Sequence, residues 1–203
     1  MKIIENVLPP EQADWLENMC LTQGQWIFLP DSSYRNTYNR KQWPSMSLPV
    51  FCIDNDRPVQ NKQWLDHLDV MIHTFASAAE CDPLRLTRLR FGLYFPMEPH
   101  QSHQPHIDSD HPHTVMLYYV NDSDGPTYFY KKTSYAKEIP QDVDNYGPPT
   151  DEVVPKKNTA VVFEGNTYHA SSNPSEGVRI VMNFNFGKEP THNMNPDEHF
   201  PSF

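Results

Sequence analysis

The 203-residue chain has only three cysteines, no long apolar run, and too few basic residues to offset its acids. Cys20, Cys52 and Cys81 are odd in number and widely spaced, which argues against a disulfide framework or a thiolate zinc site. Reduced thiols in a cytoplasmic setting are expected. No stretch approaches the ~18 apolar residues of a membrane span. The opening MKIIENVLPPEQADW meets a charge and two prolines before the core of a signal peptide could develop, so neither a leader nor a membrane partner is expected. With 26 acidic residues against 16 basic ones and a net charge of −10, the chain lacks the general positive field that attracts phosphate backbones. Nucleic acid is not expected as a partner. No internal repeat is visible. A hydrophobic fraction of 37%, with 12% aromatics, is nevertheless enough to build a core, and the length fits one domain over 1–203.

The pattern changes along the chain. PPEQADWLENMC (9–20) begins with prolines and acids, as helix N-termini prefer, and spaces Ala13, Leu16 and Cys20 on one face. Over 60–80, Trp64, Leu65, Leu68, Met71, Ile72 and Phe75 form the apolar stripe of a helix lying on something flat. Residues 22–58 between them are polar and broken by prolines, and no element is expected there. After Pro83 the chain reads as short β-type runs, LRLTRLRFGLYF, TVMLYYV, TYFY, NTAVVF and GVRIVMNFNF, separated by Pro, Gly, Asn and Asp. Strands in succession without helices between them imply an antiparallel sandwich or barrel. In the last run Val178, Ile180, Met182, Phe184 and Phe186 alternate with Arg179, Val181, Asn183 and Asn185, so one face packs and the other presents polar groups with a single arginine.

Five of the ten histidines fall in HQSHQPHIDSDHPH, residues 100–113. A strand sends residues i and i+2 to one face with α-carbons about 6.6 Å apart, close enough for His106 and Asp108 to converge on one ion. Asp110 lies about 13 Å from His106 along such a strand and is too far to share that ion. His111 and His113 flank Pro112, which suits a turn or strand start. His100 and His103 read as exposed loop residues. A third ligand is available in His169, after an apolar strand and a Gly-Asn turn, and Arg179 follows ten residues on. Two histidines and a carboxylate on iron(II) leave three positions open for a co-substrate and oxygen. Arg179 could grip a distal carboxylate bidentately.

H-x-D, a distal His and then Arg about ten residues later, on β-strands preceded by a long helix, resembles the iron(II)/2-oxoglutarate dioxygenases, in particular the prolyl 4-hydroxylase branch with its small phage and bacterial oxygenases. The resemblance runs from about Arg85 to Phe186. LYYVNDSDGPTYFY is similar to that branch's Y-L-N-D, Gly-Gly and Thr-x-Phe pattern, and VVFEGNTYHASSNPSEGVRIVMNF to its distal-His segment. The family implies a mainly β fold with supporting helices, a double-stranded β-helix or jelly roll over 83–187, packed against N-terminal helices within 1–82 and followed by a tail, 188–203. It implies Fe(II) held by His106, Asp108 and His169, with 2-oxoglutarate and O2 as co-substrates. Arg179 would pair with the far carboxylate of 2-oxoglutarate, Tyr119 would hydrogen-bond the same group, Tyr94 would be a further pocket tyrosine, and Thr127 would border the substrate pocket.

Two positions depart from the pattern. Gly125-Pro126 stands where the family has Gly-Gly, and Arg179 replaces the Lys of collagen-type members, although oxygen-sensing prolyl hydroxylases use Arg. The activity implied is hydroxylation of a C–H bond as 2-oxoglutarate is converted to succinate and carbon dioxide. A peptidyl proline is the first expectation for the substrate, with a free amino acid or other small molecule as the alternative. Segments 22–58 and 131–153 are the candidate lids. Two other readings compete: a cupin-like metal protein using His111, His113 and His169, and a β-sandwich interaction module whose histidine tract is a solvated loop.

Overall fold

The computed structural model describes residues 1–30, 44–53, 59–97, 102–134 and 146–188. Both anticipated helices form. Helix α1, Pro10–Gln23, starts on a proline that needs no amide donor and buries Ala13, Leu16, Met19 and Cys20. Helix α2, Lys62–Ala78, is capped by the Asn61 side chain, which accepts from the Trp64 amide, and buries Trp64, Leu68, Met71, Ile72, Phe75 and Ala76. Each large side chain so buried contributes about 1.5–3 kcal/mol.

The strands are β1 (Lys2–Glu5), β2 (Ile27–Leu29), β3 (Ser45–Cys52), β4 (Val59–Gln60), β5 (Leu86–Tyr94), β6 (His113–Tyr119), β7 (Thr127–Thr133), β8 (Asp151–Val153), β9 (Thr159–Glu164), β10 (Thr167–Ala170) and β11 (Arg179–Gly187). A major antiparallel sheet runs β1-β9-β6-β11-β5-β3-β2, with β4 paired to β3, and a minor one runs β10-β7-β8. Isolated bridges Ser102↔Ser172 and His106↔His169 lay the segment 102–106 beside the β10 end of the minor sheet. Two facing sheets joined by strands that pass from one to the other make the double-stranded β-helix. The Gly165-Asn166 turn is one such passage, carrying the chain from β9 in the major sheet to β10 in the minor.

Both faces of the major sheet are covered. On its outer face Leu48, Leu89, Phe91, Met116, Ile180, Met182, Phe184 and Phe186 pack with the helices in one core. On its inner face Tyr94, Val115, Leu117, Tyr119, Val161, Phe163 and Val181 meet Phe129 and Val153 of the minor sheet. The polar side of β11 therefore looks into the molecule, and Arg179 is completely buried.

Residues 22–58, read as lacking elements, contribute β2 and the eight-residue β3, which pairs with β5. Pro49 lies within β3 beside a register shift between Pro49 and Phe51, so the ladder accommodates it at an irregularity. Of the two candidate lids, 131–133 and 151–153 are strand, while 31–43, 54–58 and 135–145 lie outside the described residues, as does His100. Among the described residues no helix is long and apolar enough to cross a membrane.

Candidate metal and co-substrate site

His106 and His169 face each other across an antiparallel bridge. The amide of each donates to the carbonyl of the other, at 2.9 and 3.0 Å. This pairing puts both side chains on one side of the sheet, with ring centroids 4.8 Å apart. Each ring is also oriented by its own backbone: Nδ1 of His106 lies 3.1 Å from the Gln104 carbonyl, and Nδ1 of His169 lies 3.1 Å from the Thr167 carbonyl. A carbonyl can only accept, so Nδ1 carries the proton and Nε2 is left with its lone pair. Asp108, two residues past the bridge, lies where both lone pairs point. Its Oδ1 is 3.8 Å from Nε2 of His106, and its Oδ2 is 3.9 Å from Nε2 of His169. Taken together, the three ligand atoms lie within 4.8 Å of one another.

The protonation states suit a cation. Burial, aided by the neighbouring His169, pushes the His106 imidazole down to about 3, and burial also lowers His169. For Asp108 burial alone would raise the carboxyl, but the Arg88 guanidinium and the two imidazoles outweigh it and hold it well below the usual carboxylate range. Nη1 of Arg88 donates to Oδ1 at 2.9 Å and Nδ2 of Asn183 donates to Oδ2 at 3.0 Å. With its amide nitrogen toward the carboxylate, Asn185 adds a contact to Oδ2 at 3.2 Å. Such outer partners fix the orientation of a ligating carboxylate.

Farther along the inner face of β11, Nη2 of Arg179 donates to Oγ1 of Thr127 at 2.8 Å, and the Tyr119 hydroxyl donates to the same oxygen at 2.9 Å. The guanidinium carbon sits 5.1 Å from the Tyr94 ring centroid and 5.9 Å from that of Tyr119. Tyr94 is opposite Arg179 in the β5–β11 register, and its ring folds back over Gly92, where a β-carbon would come within 3.1 Å of the phenol. Nε and Nη1 of Arg179 have no hydrogen-bond partner among the described residues. A fully buried guanidinium with two idle nitrogens is costly unless an anion meets it. The far carboxylate of 2-oxoglutarate fits that requirement, as the neutral imidazoles and charged carboxylate fit Fe(II).

All seven sequence-selected residues thus fall into two groups on one interior: His106, Asp108 and His169 in the first, Arg179, Tyr119, Tyr94 and Thr127 in the second. Thr127, expected at the substrate pocket, is completely buried beside Arg179. His103 corrects its reading as an exposed loop residue. It is 4% exposed, its Nε2 lies 2.5 Å from the Asn173 side-chain oxygen, and its ring meets Tyr94 edge-on at 5.4 Å. His113 opens β6 and is buried, whereas the His111 side chain is 81% exposed beside Asp110, so neither joins the cluster and the cupin-like set does not assemble. Nor is the described part of the histidine tract a solvated loop throughout: His103 and His113 are buried and His106 is half-buried, while Asp110, His111 and Pro112 are exposed. Gly125-Pro126 docks on the segment after His169: the Ser172 hydroxyl donates to the Pro126 carbonyl at 2.7 Å, and a β-carbon on Gly125 would lie 2.8 Å from the Asn173 backbone.

Arg88 was missed, although the alternation in LTRLRFGLY puts Arg88, Arg90, Gly92 and Tyr94 on one face of β5, and that face is the inner one.

No protein-family model matches the chain. No curated protein matches it by sequence. Solved structures do match, and the fold they share is that of the 2-oxoglutarate/Fe(II) oxygenases. A 2OG-Fe(II) oxygenase family oxidoreductase from Burkholderia pseudomallei superposes with a TM-score of 0.64 at 9% identity, covering 92% of this chain and 84% of that one. The epimerase SnoN of nogalamycin biosynthesis, described as non-heme and alpha-ketoglutarate dependent, gives 0.62 at 12%, covering 91% and 77%. A prolyl-4-hydroxylase from Pseudomonas putida gives 0.51 at 13%, covering 93% and 92%.

Proposed function

We propose that this protein is an Fe(II)- and 2-oxoglutarate-dependent oxygenase that hydroxylates a C–H bond. The observation that carries the proposal is the pair of bridged histidines, each holding Nδ1–H on a backbone carbonyl so that Nε2 faces Asp108. His106, Asp108 and His169 would hold one face of the metal, leaving the remaining positions for the co-substrate and oxygen. Arg179 and Thr127, with Tyr119 behind them, would receive the far carboxylate of 2-oxoglutarate. Bound together, iron, 2-oxoglutarate and O2 supply the oxidant, and succinate and carbon dioxide are the by-products. The chain's own work is placement and dryness: burial of Arg179 strengthens its grip on a carboxylate and keeps water from competing for it. Hydroxylation is the outcome favoured by the sequence likeness to prolyl hydroxylases.

The test is direct. Protein purified without oxygen is given Fe(II) and 2-oxoglutarate, oxygen is admitted and succinate is measured, with Asp108→Ala alongside. Succinate formed by the wild type and abolished by the substitution is the expected result. Failure to bind 2-oxoglutarate in the presence of Mn(II), together with no succinate, overturns the reading.

A further inference from the structure

Asn173 is completely buried and grips its surroundings at both ends of its amide. Its Nδ2 donates to the Phe95 carbonyl at 2.7 Å, which fixes the orientation of the amide and turns Oδ1 toward His103. Nε2 of His103 lies 2.5 Å from that oxygen. An amide oxygen only accepts, so Nε2 carries the proton. Burial, opposed by the Asn173 bond but aided by the charge of Arg179, pushes the imidazole down to about 4, and the ring is neutral. The backbone fixes the same residue: the His103 amide donates to the Ser171 carbonyl at 2.7 Å, beside the Ser102↔Ser172 bridge.

Both grips converge on one side chain. Phe95 adjoins Tyr94, so one end of the Asn173 amide holds the backbone beside that tyrosine, while the imidazole on the other end meets the Tyr94 ring edge-on at 5.4 Å. Tyr94 stands opposite Arg179 in register, with the guanidinium carbon 5.1 Å from its ring centroid. A continuous line of contacts therefore leads from Asn173 through His103 and Tyr94 to Arg179, and it bypasses His106, Asp108 and His169. A polar pair in so buried a place incurs desolvation that two apolar side chains would not. What it adds is direction, because a hydrogen bond fixes the plane of a ring where dispersion contacts leave it free to turn.

We propose that His103 is a positioning residue of the co-substrate pocket: held by Asn173, it sets the Tyr94 ring against Arg179 and so aims the guanidinium at the far carboxylate of 2-oxoglutarate. The proposal rests on the oxygenase reading above. It also separates two bindings that share a stretch of chain. His103 and His106 are close neighbours in sequence, so a substitution that merely loosened their segment would weaken metal and co-substrate binding together. One that disturbs Tyr94 and Arg179 weakens the co-substrate and spares the metal. Calorimetry on the full chain measures both, first the affinity for Mn(II) and then, with Mn(II) saturating, the affinity for 2-oxoglutarate. The variants are His103→Ala, His103→Gln, Tyr94→Leu and the double substitution of His103→Ala with Tyr94→Leu.

His103→Ala is expected to bind 2-oxoglutarate about tenfold more weakly while its Mn(II) affinity stays within about twofold of wild type. His103→Gln, which keeps an N–H for Asn173 but has no ring, should recover part of the loss. The double variant should lose little more than Tyr94→Leu alone, because the two side chains act in series. If His103→Ala does not fold, His103→Gln takes its place in both comparisons, with about threefold weaker 2-oxoglutarate binding expected. Unchanged 2-oxoglutarate affinity in the His103 variants, Mn(II) affinity that falls in step with it, or additive losses in the double variant overturn the proposal. Wild-type protein that binds no 2-oxoglutarate with Mn(II) sinks the oxygenase reading itself and this proposal with it, whereas the variants can sink the proposal alone.

Discussion

At Arg179 function and stability pull in opposite directions. The side chain is fully buried, with one N–H group on Thr127 and two nitrogens that have no partner among the described residues. Arg179→Met removes a charge that the ligand-free fold must bury, so the melting temperature of the ligand-free protein should hold or rise. The same change leaves a carboxylate without its partner, a loss of about 2–5 kcal/mol. Calorimetry with Mn(II) should therefore show 2-oxoglutarate binding at least about thirtyfold weaker; an unchanged affinity would remove Arg179 from the site. His106, Asp108, His169 and Arg179 were legible in the sequence because their spacing is itself chemical information. His103 was not. Nothing in HQSHQPH marks one imidazole as buried, and its contacts, Asn173 and Tyr94, are brought to it only by the fold.

Among the elements, the strands with apolar runs announced themselves, and the polar or very short ones did not. β5, β6, β9 and β11 carry apolar runs because one or both faces are buried. β3 escaped notice because Ser45, Ser47 and Pro49 sit on its inner face, where small and polar residues leave room near the site. β1, β2 and β8 have four, three and three residues, too few to show a period. The turn before β7 offers a sharp test. A β-carbon on Gly125 would lie 2.8–2.9 Å from backbone atoms of Asn173 and Pro174, and backbone cannot rotate away as a side-chain tip can. Gly125→Ala should cost about 1–3 kcal/mol and lower the melting temperature by several degrees. Because Asn173 holds His103 and the Phe95 carbonyl, the substitution should also weaken 2-oxoglutarate binding. A Gly125→Ala protein with wild-type melting temperature would show that the two segments do not press together.

On the scale of the whole molecule, two buried faces of one sheet do separate work. The outer core with α1 and α2 supplies hydrophobic stabilisation, and the inner face holds a polar set that no apolar core would tolerate unpaired. This arrangement makes the ligand-free protein sensitive to acid. Burial pushes His103 from its ordinary 6.5 down to about 4, so the folded state keeps it neutral while the unfolded chain takes up a proton below 6.5. The unfolded state then binds more protons, and stability, complete above pH 6.5, falls as the pH drops towards 4. The loss from this one group is about 3 kcal/mol across that window. Urea denaturation of metal-free protein should trace the decline, and His103→Gln should make it shallower; equal slopes would assign the acid sensitivity to other groups. The sequence by itself determined what repeats locally or carries chemistry in its spacing: two amphipathic helices, a run of strands, an H-x-D pair, a distal histidine and an arginine ten residues beyond. Only the tertiary structure decided which way each polar face points, that His106 meets His169 across a bridge, that Arg88 serves Asp108, and that His103 is interior. Those outcomes depend on which strands become neighbours, and strand pairing joins residues far apart in the chain through backbone hydrogen bonds that are alike for nearly every sequence.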